Sequence, residues 1–298
     1  MSDEGFVTRD GYRTYYRVEG DLDSSRTPLV LLHGGPGLPH GYFEPLAALA
    51  DERAIVFYDQ LGCGRSDQPE DDTLWTFDTF VSELDAVVAH LELARFSVLG
   101  HSWGGWLALE WLLRKPRPAL AALVLASTCA SLPAFGRMTR ALKATLPQDT
   151  QDALDRHEAA GTTDDPEYGA ASFAYIREFI VRADPIPEFL LTAAAAKNAH
   201  IADLMQGPEW NVNGRIAGWD VTARLGEIDV PTLVTSGRFD EMTPWVVEPL
   251  ASGIRGAEWV VFEKSAHVAH VEEPDRYVAV VRDFLSRVDA RRRALETV

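Results

Sequence analysis

A short apolar run that ends in a glycine-rich turn around a serine constrains this chain more than any other feature. Residues 97–105 are Ser-Val-Leu-Gly-His-Ser-Trp-Gly-Gly, and an apolar run at helical spacing follows over 106–113. The pattern predicts a strand, a tight turn and a helix, with Ser102 at the tip of the turn. Glycines at 100, 104 and 105 let the backbone fold back closely. Ser102 would stand at the positive end of a helix dipole, where backbone N–H groups can bind an oxyanion.

The segments around this turn alternate between buried strands and helices. Continuous apolar runs at 29–32, 54–58 and 120–126 predict strands that are buried on both faces. Apolar residues at helical spacing predict an amphipathic helix over 77–93. A hairpin with its turn at Asp10-Gly11 precedes them. The alternation predicts an α/β protein with a mostly parallel, doubly wound sheet.

The pattern changes over residues 127–226, where no convincing strand occurs. This stretch predicts helices over 137–145, 150–160, 166–182 and 186–205. Strands resume at 231–236 and 258–262, and helices begin at Pro244 and Pro274. The sequence therefore predicts a core formed by residues 1–126 and 227–298, with residues 127–226 inserted as a helical cap.

Two polar residues follow predicted strands in the order that a serine nucleophile would need. Asp240 comes shortly after the strand at 231–236, and His267 comes shortly after the strand at 258–262. Because the carboxyl ends of parallel strands meet at one edge of a sheet, we expect both side chains near Ser102. A serine hydroxyl needs a base to take its proton, and the base needs an acid to orient it. We predict Ser102 as the nucleophile, His267 as the base and Asp240 as the acid, with His270 as a rival for the base.

A glycine-rich segment directly after the first parallel strand is a candidate for half of an oxyanion hole. Residues 33–37 are His-Gly-Gly-Pro-Gly. Such a loop lets backbone N–H groups come close to a ligand. We expect the N–H groups of Gly35 and Trp103 to bind the oxyanion, and Gly34 to contact the substrate.

Composition argues against several other classes of function. A net charge of −17 and a pI of about 4.8 disfavour nucleic acid as a partner. Cys63 and Cys129 do not make a disulfide framework, and the N-terminus has no secretory pattern, so a cytoplasmic location is expected. No apolar run is long enough to span a bilayer, so no membrane partner is expected. No metal-binding or phosphate-loop motif occurs, so no metal or cofactor is expected. The sequence does not indicate the oligomeric state.

Several motifs together resemble the proline iminopeptidase (prolyl aminopeptidase) family of the α/β-hydrolase superfamily. The turn at Ser102 resembles the nucleophile elbow of that superfamily. More specific are the motifs at 33–37, Asp-Gln-Leu-Gly-Cys-Gly-Arg-Ser at 59–66, Gly-Pro-Glu-Trp at 207–210, Gly-Trp-Asp at 218–220 and Gly-Arg-Phe-Asp-Glu-Met-Thr-Pro at 237–244. The resemblance is greatest to the branch with the tricorn-interacting aminopeptidase and the L-proline amide hydrolases. It implies the α/β-hydrolase fold with an inserted helical cap.

The resemblance also implies the reaction, which is cleavage of an N-terminal amino acid, often proline, from a small peptide or an amino-acid amide. In such enzymes acidic side chains recognise the free amine of the substrate, and the matching positions here are Glu209 and Glu241. A cationic amine in a dry pocket does need a carboxylate partner. The residues alone leave open whether Trp103, Trp210 and Trp219 line a pocket for a pyrrolidine ring or belong to the core.

Two other interpretations stay open at this point. An esterase or lactonase could keep the same triad and ignore amines. A catalytically inactive binding protein could keep the same fold. The sequence also does not distinguish a peptide from a simple amide, because the size of the leaving group depends on how the cap closes over the site.

Overall fold

A single eight-stranded sheet organises the protein, whose computed structural model describes residues 2–296. The strands are β1 (Ser2–Arg9), β2 (Tyr12–Glu19), β3 (Leu29–Leu32), β4 (Ile55–Tyr58), β5 (Phe96–His101), β6 (Leu120–Ala126), β7 (Thr232–Gly237) and β8 (Glu258–Phe262). They lie in the order β1-β2-β4-β3-β5-β6-β7-β8. The β1–β2 and β2–β4 pairs are antiparallel, and every later neighbouring pair is parallel. The predicted hairpin and mostly parallel sheet are confirmed.

Helices cover both faces of this sheet. They are α1 (Phe77–His90), α2 (Trp103–Arg114), α3 (Leu132–Lys143), α4 (Gln148–Ala160), α5 (Pro166–Phe179), α6 (Glu188–Ala195), α7 (Ala199–Met205), α8 (Pro244–Gly253), α9 (Ala269–Glu272) and α10 (Pro274–Glu296), with 3₁₀ helices at His40–Asp51, Asp72–Leu74 and Thr222–Glu227. None of the helices within 2–296 combines the length and the apolar character needed to cross a bilayer.

The sheet has a hydrophobic core on each face, which explains the uninterrupted apolar runs of its strands. In β3, Val30 and Leu32 belong to one buried cluster, whereas Leu29 and Leu31 belong to the other. Successive side chains of a strand point to opposite faces, so a strand covered on both sides needs apolar residues throughout. A core on each face of a mostly parallel sheet is what the doubly wound arrangement predicted from the sequence requires.

The chain between β6 and β7 contains α3–α7 and, over residues 127–231, no strand of the sheet. One prediction for this segment is wrong, because residues 186–205 form two helices rather than one. Asn198 interrupts them: its side-chain oxygen accepts from Ile201 N at 3.3 Å and caps α7. Its amide group donates to Gly62 O at 2.8 Å, and its backbone N–H donates to Gly37 O at 2.9 Å. Contacts with two distant loops therefore set the break.

Candidate active site

Ser102 occupies a strained turn between β5 and α2. Its backbone has φ 55° and ψ −120°, a conformation that residues other than glycine rarely adopt. Ser102 N donates to Ala126 O at 2.9 Å, which ties the turn to β6. A Cβ atom at Gly104 would lie 2.0 Å from Leu32 O, and one at Gly100 would lie 2.3 Å from Gly104 O. The glycines predicted to permit the turn are therefore sterically required.

His267 and Asp240 form a buried pair at the ends of β8 and β7. His267 Nδ1 lies 2.8 Å from Asp240 Oδ1, which also accepts from Met242 N at 2.8 Å. Burial lowers the pKa of His267, but the charge and hydrogen bond of Asp240 outweigh it and leave the pKa above its usual value. With Nδ1 held by Asp240, Nε2 is the ring nitrogen left for Ser102. Ser102 and His267 line the same cavity.

His270, the rival base, lies in a different environment. It is buried in α9, and its ring lies 5.3 Å from the ring of Tyr42 and 5.7 Å from that of Tyr277. Burial lowers the pKa of His270 to about 3, with a further contribution from His267. It is not among the described residues that line the cavity. The geometry therefore favours His267 as the base.

A chain of hydrogen bonds that the sequence did not predict links the glycine-rich loop to the loop of His267. Gly34 N–H donates to the Tyr42 hydroxyl at 2.7 Å, and that hydroxyl lies 2.9 Å from His101 Nδ1. His101 Nε2 lies 2.9 Å from His267 O. One tautomer satisfies every group, with Tyr42 donating to Nδ1 and Nε2–H donating to the carbonyl. Burial, with His267 and His270 nearby, holds the pKa of His101 well below its usual value, so the ring stays neutral.

The backbone predicted to form the oxyanion hole lies beside Ser102. Gly34 and Gly35 line the cavity. Gly35 has φ +116°, and a Cβ there would lie 2.7 Å from Gly37 N and from Leu38 N. Trp103 is the first residue of α2, so its N–H is one of the free donors at a helix N-terminus. Gly35 precedes Ser102 in the chain and Trp103 follows it, and both residues lie at the edge of the sheet where the parallel strands end.

The three tryptophans left open by the sequence have different places in the structure. Trp103 is fully buried, and its Nε1 donates to Gln60 Oε1 at 2.7 Å. Trp219 packs beside Phe77, with ring centroids 5.8 Å apart. Of the three, only Trp210 is among the described residues that line the cavity. Trp103 belongs to the core, Trp219 is half-buried against it, and Trp210 borders the cavity.

The two glutamates predicted to bind an amine lie close to each other but differ in exposure. Glu241 is buried, and Tyr175 donates to its Oε2 at 3.2 Å. Burial, followed by the charges of Glu209 and Asp240, raises the pKa of Glu241 well above its usual value. Glu209 lines the cavity and accepts from Gln206 Nε2 at 2.5 Å. Glu241 itself lies behind the lining formed by the described residues.

One cluster has the spacing of a metal site but not its chemistry. The side chains of His33, Asp59 and Cys63 offer three ligand atoms within 4.8 Å of one another. His33 Nε2 already accepts from Gln60 N at 2.9 Å, and Asp59 Oδ1 is bound by His40. Burial raises the pKa of the Cys63 thiol well above its usual value, whereas a metal ligand must be a thiolate. This cluster instead fixes the loop that follows β4.

The cavity that contains Ser102 and His267 has a volume of about 1030 Å³. The cavity lies over the edge of the sheet that is formed by the carboxyl ends of the parallel strands. Its walls include residues of α4–α7. Ligand pockets that hold drug-sized molecules have volumes of roughly 300–1,000 Å³. A substrate larger than a single amino acid therefore fits.

Comparison with known proteins shows the family to which this chain belongs. Residues 27–274 match a family model described as the alpha/beta hydrolase fold. The chain is 40% identical over 290 residues to a proline iminopeptidase of Heyndrickxia coagulans, covering 97% of this chain and 100% of that protein. Among solved structures, VinJ superposes with a TM-score of 0.92 at 37% identity, covering 96% of this chain and 99% of VinJ. Proline iminopeptidase of Mycobacterium smegmatis superposes with a TM-score of 0.87 at 36% identity, covering 97% and 99%.

Proposed function

This chain belongs to the proline iminopeptidase family of α/β hydrolases, and from that premise we propose that it is a serine hydrolase that removes an N-terminal amino acid, preferably proline, from a small peptide or an amino-acid amide. The observation that carries this proposal is the pair Glu209 and Glu241 beside the cavity of Ser102. A carboxyl group as buried as Glu241 is costly unless a cation or a proton neutralises it. The free amine of a substrate is such a cation.

The first half of the proposed reaction forms an acyl-enzyme. Ser102 Oγ attacks the carbonyl carbon, and His267 Nε2 takes the hydroxyl proton. Asp240 holds Nδ1–H and stabilises the imidazolium that results. The electrons of the C=O bond move to the oxygen, where the N–H groups of Gly35 and Trp103 stabilise the oxyanion. Loss of one such donor typically raises the barrier by about 3 kcal/mol.

The second half releases both products. The oxyanion collapses, the C–N bond breaks, and His267 gives its proton to the departing amine. Water then attacks the ester carbon while His267 takes a proton from it. Collapse of this second intermediate breaks the bond to Ser102 Oγ, which recovers its proton, and frees the amino acid.

We propose that Glu241 and Glu209 orient the substrate through its amine. Burial favours the protonated form of Glu241 while the site is empty, because it raises the pKa of this carboxyl group well above its usual value. An arriving cation favours the ionised form, so the amine gains a charged partner as it leaves water. Trp210 offers an apolar face to the ring of a prolyl group.

We also propose that residues 127–226 act as a cap on a core formed by 1–126 and 227–298. This segment contributes Tyr175, Glu209 and Trp210 to the region around the amine. An expectation that the enzyme works in the cytoplasm rests on Cys63 and Cys129, which are both buried and unbridged.

Hydrolysis of L-prolyl p-nitroanilide and of its N-acetyl and N-methyl forms tests the proposal. We expect kcat/KM to fall by roughly 100-fold or more on acetylation, because an unpaired buried carboxyl costs several kcal/mol. The N-methyl form adds bulk to the amine but keeps its positive charge, so it separates the effect of charge from the effect of size. Ser102→Ala should abolish turnover and labelling by a fluorophosphonate while the protein stays folded.

Other outcomes would favour the alternatives. Equal cleavage of the acetylated and free forms, together with intact labelling of Ser102, would assign the chain to esterases or lactonases without amine recognition. A folded wild-type protein that neither hydrolyses these substrates nor reacts with the fluorophosphonate would be a binding protein.

A further inference from the structure

Part of the lining of the cavity that contains Ser102 is apolar and comes from α5 and α6. Phe173 and Ile176 of α5 and Ile180, the residue directly after the helix, lie three and four residues apart and therefore share one face, and all three line the cavity. Tyr175 and Phe179 lie on another face and pack in the cluster that contains Trp210. Helix α5 therefore presents its apolar stripe to the cavity and a different face to the region around Glu241.

Helix α6 completes this wall. Leu190, Leu191 and Ala194 also line the cavity. Leu191 and Phe173 are each 51% exposed, although most large apolar side chains of the described chain are buried. Exposed apolar side chains that border a cavity are typical of a surface that a ligand covers. The rim of this cavity therefore suits an apolar group.

The cavity is also much larger than the acyl part of the proposed substrate. A prolyl group beside Trp210 would leave most of the 1030 Å³ unfilled. Because we assign the amine of the acyl part to the side of Glu241, we assign the remaining space to the leaving group. A bulky leaving group can occupy it.

The charges on the lining disfavour an anionic leaving group. Four carboxylate side chains line the cavity, those of Asp155, Glu158, Asp203 and Glu209. Among the described lining residues the only lysine or arginine is Lys197, and its Nζ lies 3.6 Å from Glu209 Oε1. A free carboxylate on the leaving group would enter an acidic cavity whose one lining lysine, among the described residues, is already paired with Glu209.

We propose that the substrates carry a bulky, apolar and uncharged leaving group, which packs against the stripe on α5 and α6 and reaches Phe173 and Leu191 at the rim. The natural substrate class is then an aminoacyl amide of an apolar amine, or a peptide with a blocked C-terminus, rather than a free dipeptide. This inference rests on the proposed function, because it assigns the acyl part to the amine site.

A series of prolyl n-alkylamides, from methyl to octyl, tests whether the apolar wall binds the leaving group. The scissile bonds are chemically alike, so differences in kcat/KM report binding of the alkyl chain. We expect kcat/KM to rise roughly two- to fourfold for each buried methylene until the chain passes the rim. Prolyl-glycine should be cleaved at least tenfold more slowly than prolyl-glycinamide.

Variants at the rim locate the effect. Phe173→Ser combined with Leu191→Ser should flatten the dependence on chain length, with little change for prolyl methylamide. Trp245→Ser is the matched control, because Trp245 is 59% exposed and lies outside this cavity. Fluorophosphonate labelling of Ser102 verifies that each variant is folded.

The two proposals fail in different ways. A flat alkylamide series, or equal cleavage of prolyl-glycine and its amide, overturns this inference if the free amine is still required. A series that rises equally in the rim variant also overturns it. If acetylated and free substrates are cleaved alike, the proposed function itself is wrong, and the assignment of the leaving-group side is lost with it.

Discussion

Neighbouring acidic residues acquire different chemistry from their surroundings. Asp240 and Glu241 are adjacent in the chain and both are buried. Asp240 Oδ1 faces His267 Nδ1 and the N–H of Met242, whereas Glu241 faces the Tyr175 hydroxyl. Hydrogen bonds from cationic or polar donors stabilise a carboxylate, while burial beside other acids favours the protonated form. Asp240 therefore suits the orientation of a base, and Glu241 suits the binding of a cation.

Replacing Glu241 by Gln tests this assignment. The amide can keep the contact with Tyr175 but cannot gain a negative charge, so we expect kcat/KM for prolyl p-nitroanilide to fall roughly 10- to 100-fold, as for a lost charge-assisted hydrogen bond of about 1.5–3 kcal/mol. Steady-state kinetics beside the N-acetyl substrate is the measurement. Hydrolysis of the acetylated form should not fall. A variant with unchanged preference for the free amine would show that Glu241 does not bind it.

A buried carboxyl group joins three elements on the side of the sheet that α1 covers. Glu83 of α1 accepts from Thr14 Oγ1 of β2 at 2.5 Å and from Leu61 N, in the loop after β4, at 2.8 Å. Its Oε2 atom has no partner among the described residues. Burial raises the pKa of Glu83 to about 7. The helix, the strand and the loop are thus connected through a group that favours its protonated form.

Glu83→Gln should therefore change the pH dependence of stability. The folded protein holds this proton between about pH 4.5 and 7, where the unfolded chain has released it, so the free energy of unfolding falls as pH rises through that range. Glutamine stays neutral, so we expect the variant to gain about 2–3 kcal/mol relative to wild type between pH 5 and pH 8. Urea unfolding at the two pH values measures it, with the exposed Glu70→Gln as control. An equal difference at both pH values would refute the role of Glu83.

The whole molecule carries a net charge of −17, and the cavity that contains Ser102 is lined by acidic side chains. A field of one sign raises the local concentration of ligands of the opposite charge, and a cleft with low-dielectric walls focuses that field. Substrates with a free amine are cations. The overall charge therefore acts in the same direction as Glu209 and Glu241.

This long-range attraction should be visible as a salt effect. We expect kcat/KM for prolyl p-nitroanilide to fall roughly two- to fivefold between about 0.02 M and 0.5 M NaCl, because salt screens charges beyond a few ångströms. The rate at which a neutral fluorophosphonate labels Ser102 should stay constant over the same range. Equal salt dependence of both reactions would mean that the field does not act on the substrate's charge.

Local sequence patterns were enough to predict the sheet, its helices and the order of the candidate triad. Strands buried on both faces need continuous apolar runs, and the turn at Ser102 needs glycines where Leu32 O and Gly104 O approach. The burial of a strand is visible in its own composition, and the need for glycines is visible as a local motif, although Leu32 belongs to a different strand. The wrong single helix over 186–205 marks the limit, because Asn198 ends it through contacts with Gly37 and Gly62.

Only the tertiary structure decided which distant groups meet. It placed Trp210 in the cavity and Trp103 in the core, and it gave Tyr42 and His101 a shared hydrogen-bond chain to His267. Periodicity tells which face of an element is buried, but it does not tell which partner covers that face. The apolar rim on α5 and α6 is the same kind of property, because it depends on how two helices lie over the sheet. The sequence by itself determined which polar side chains follow the carboxyl ends of the parallel strands. The packing of the helices between β6 and β7 decided the shape and the lining of the cavity above them.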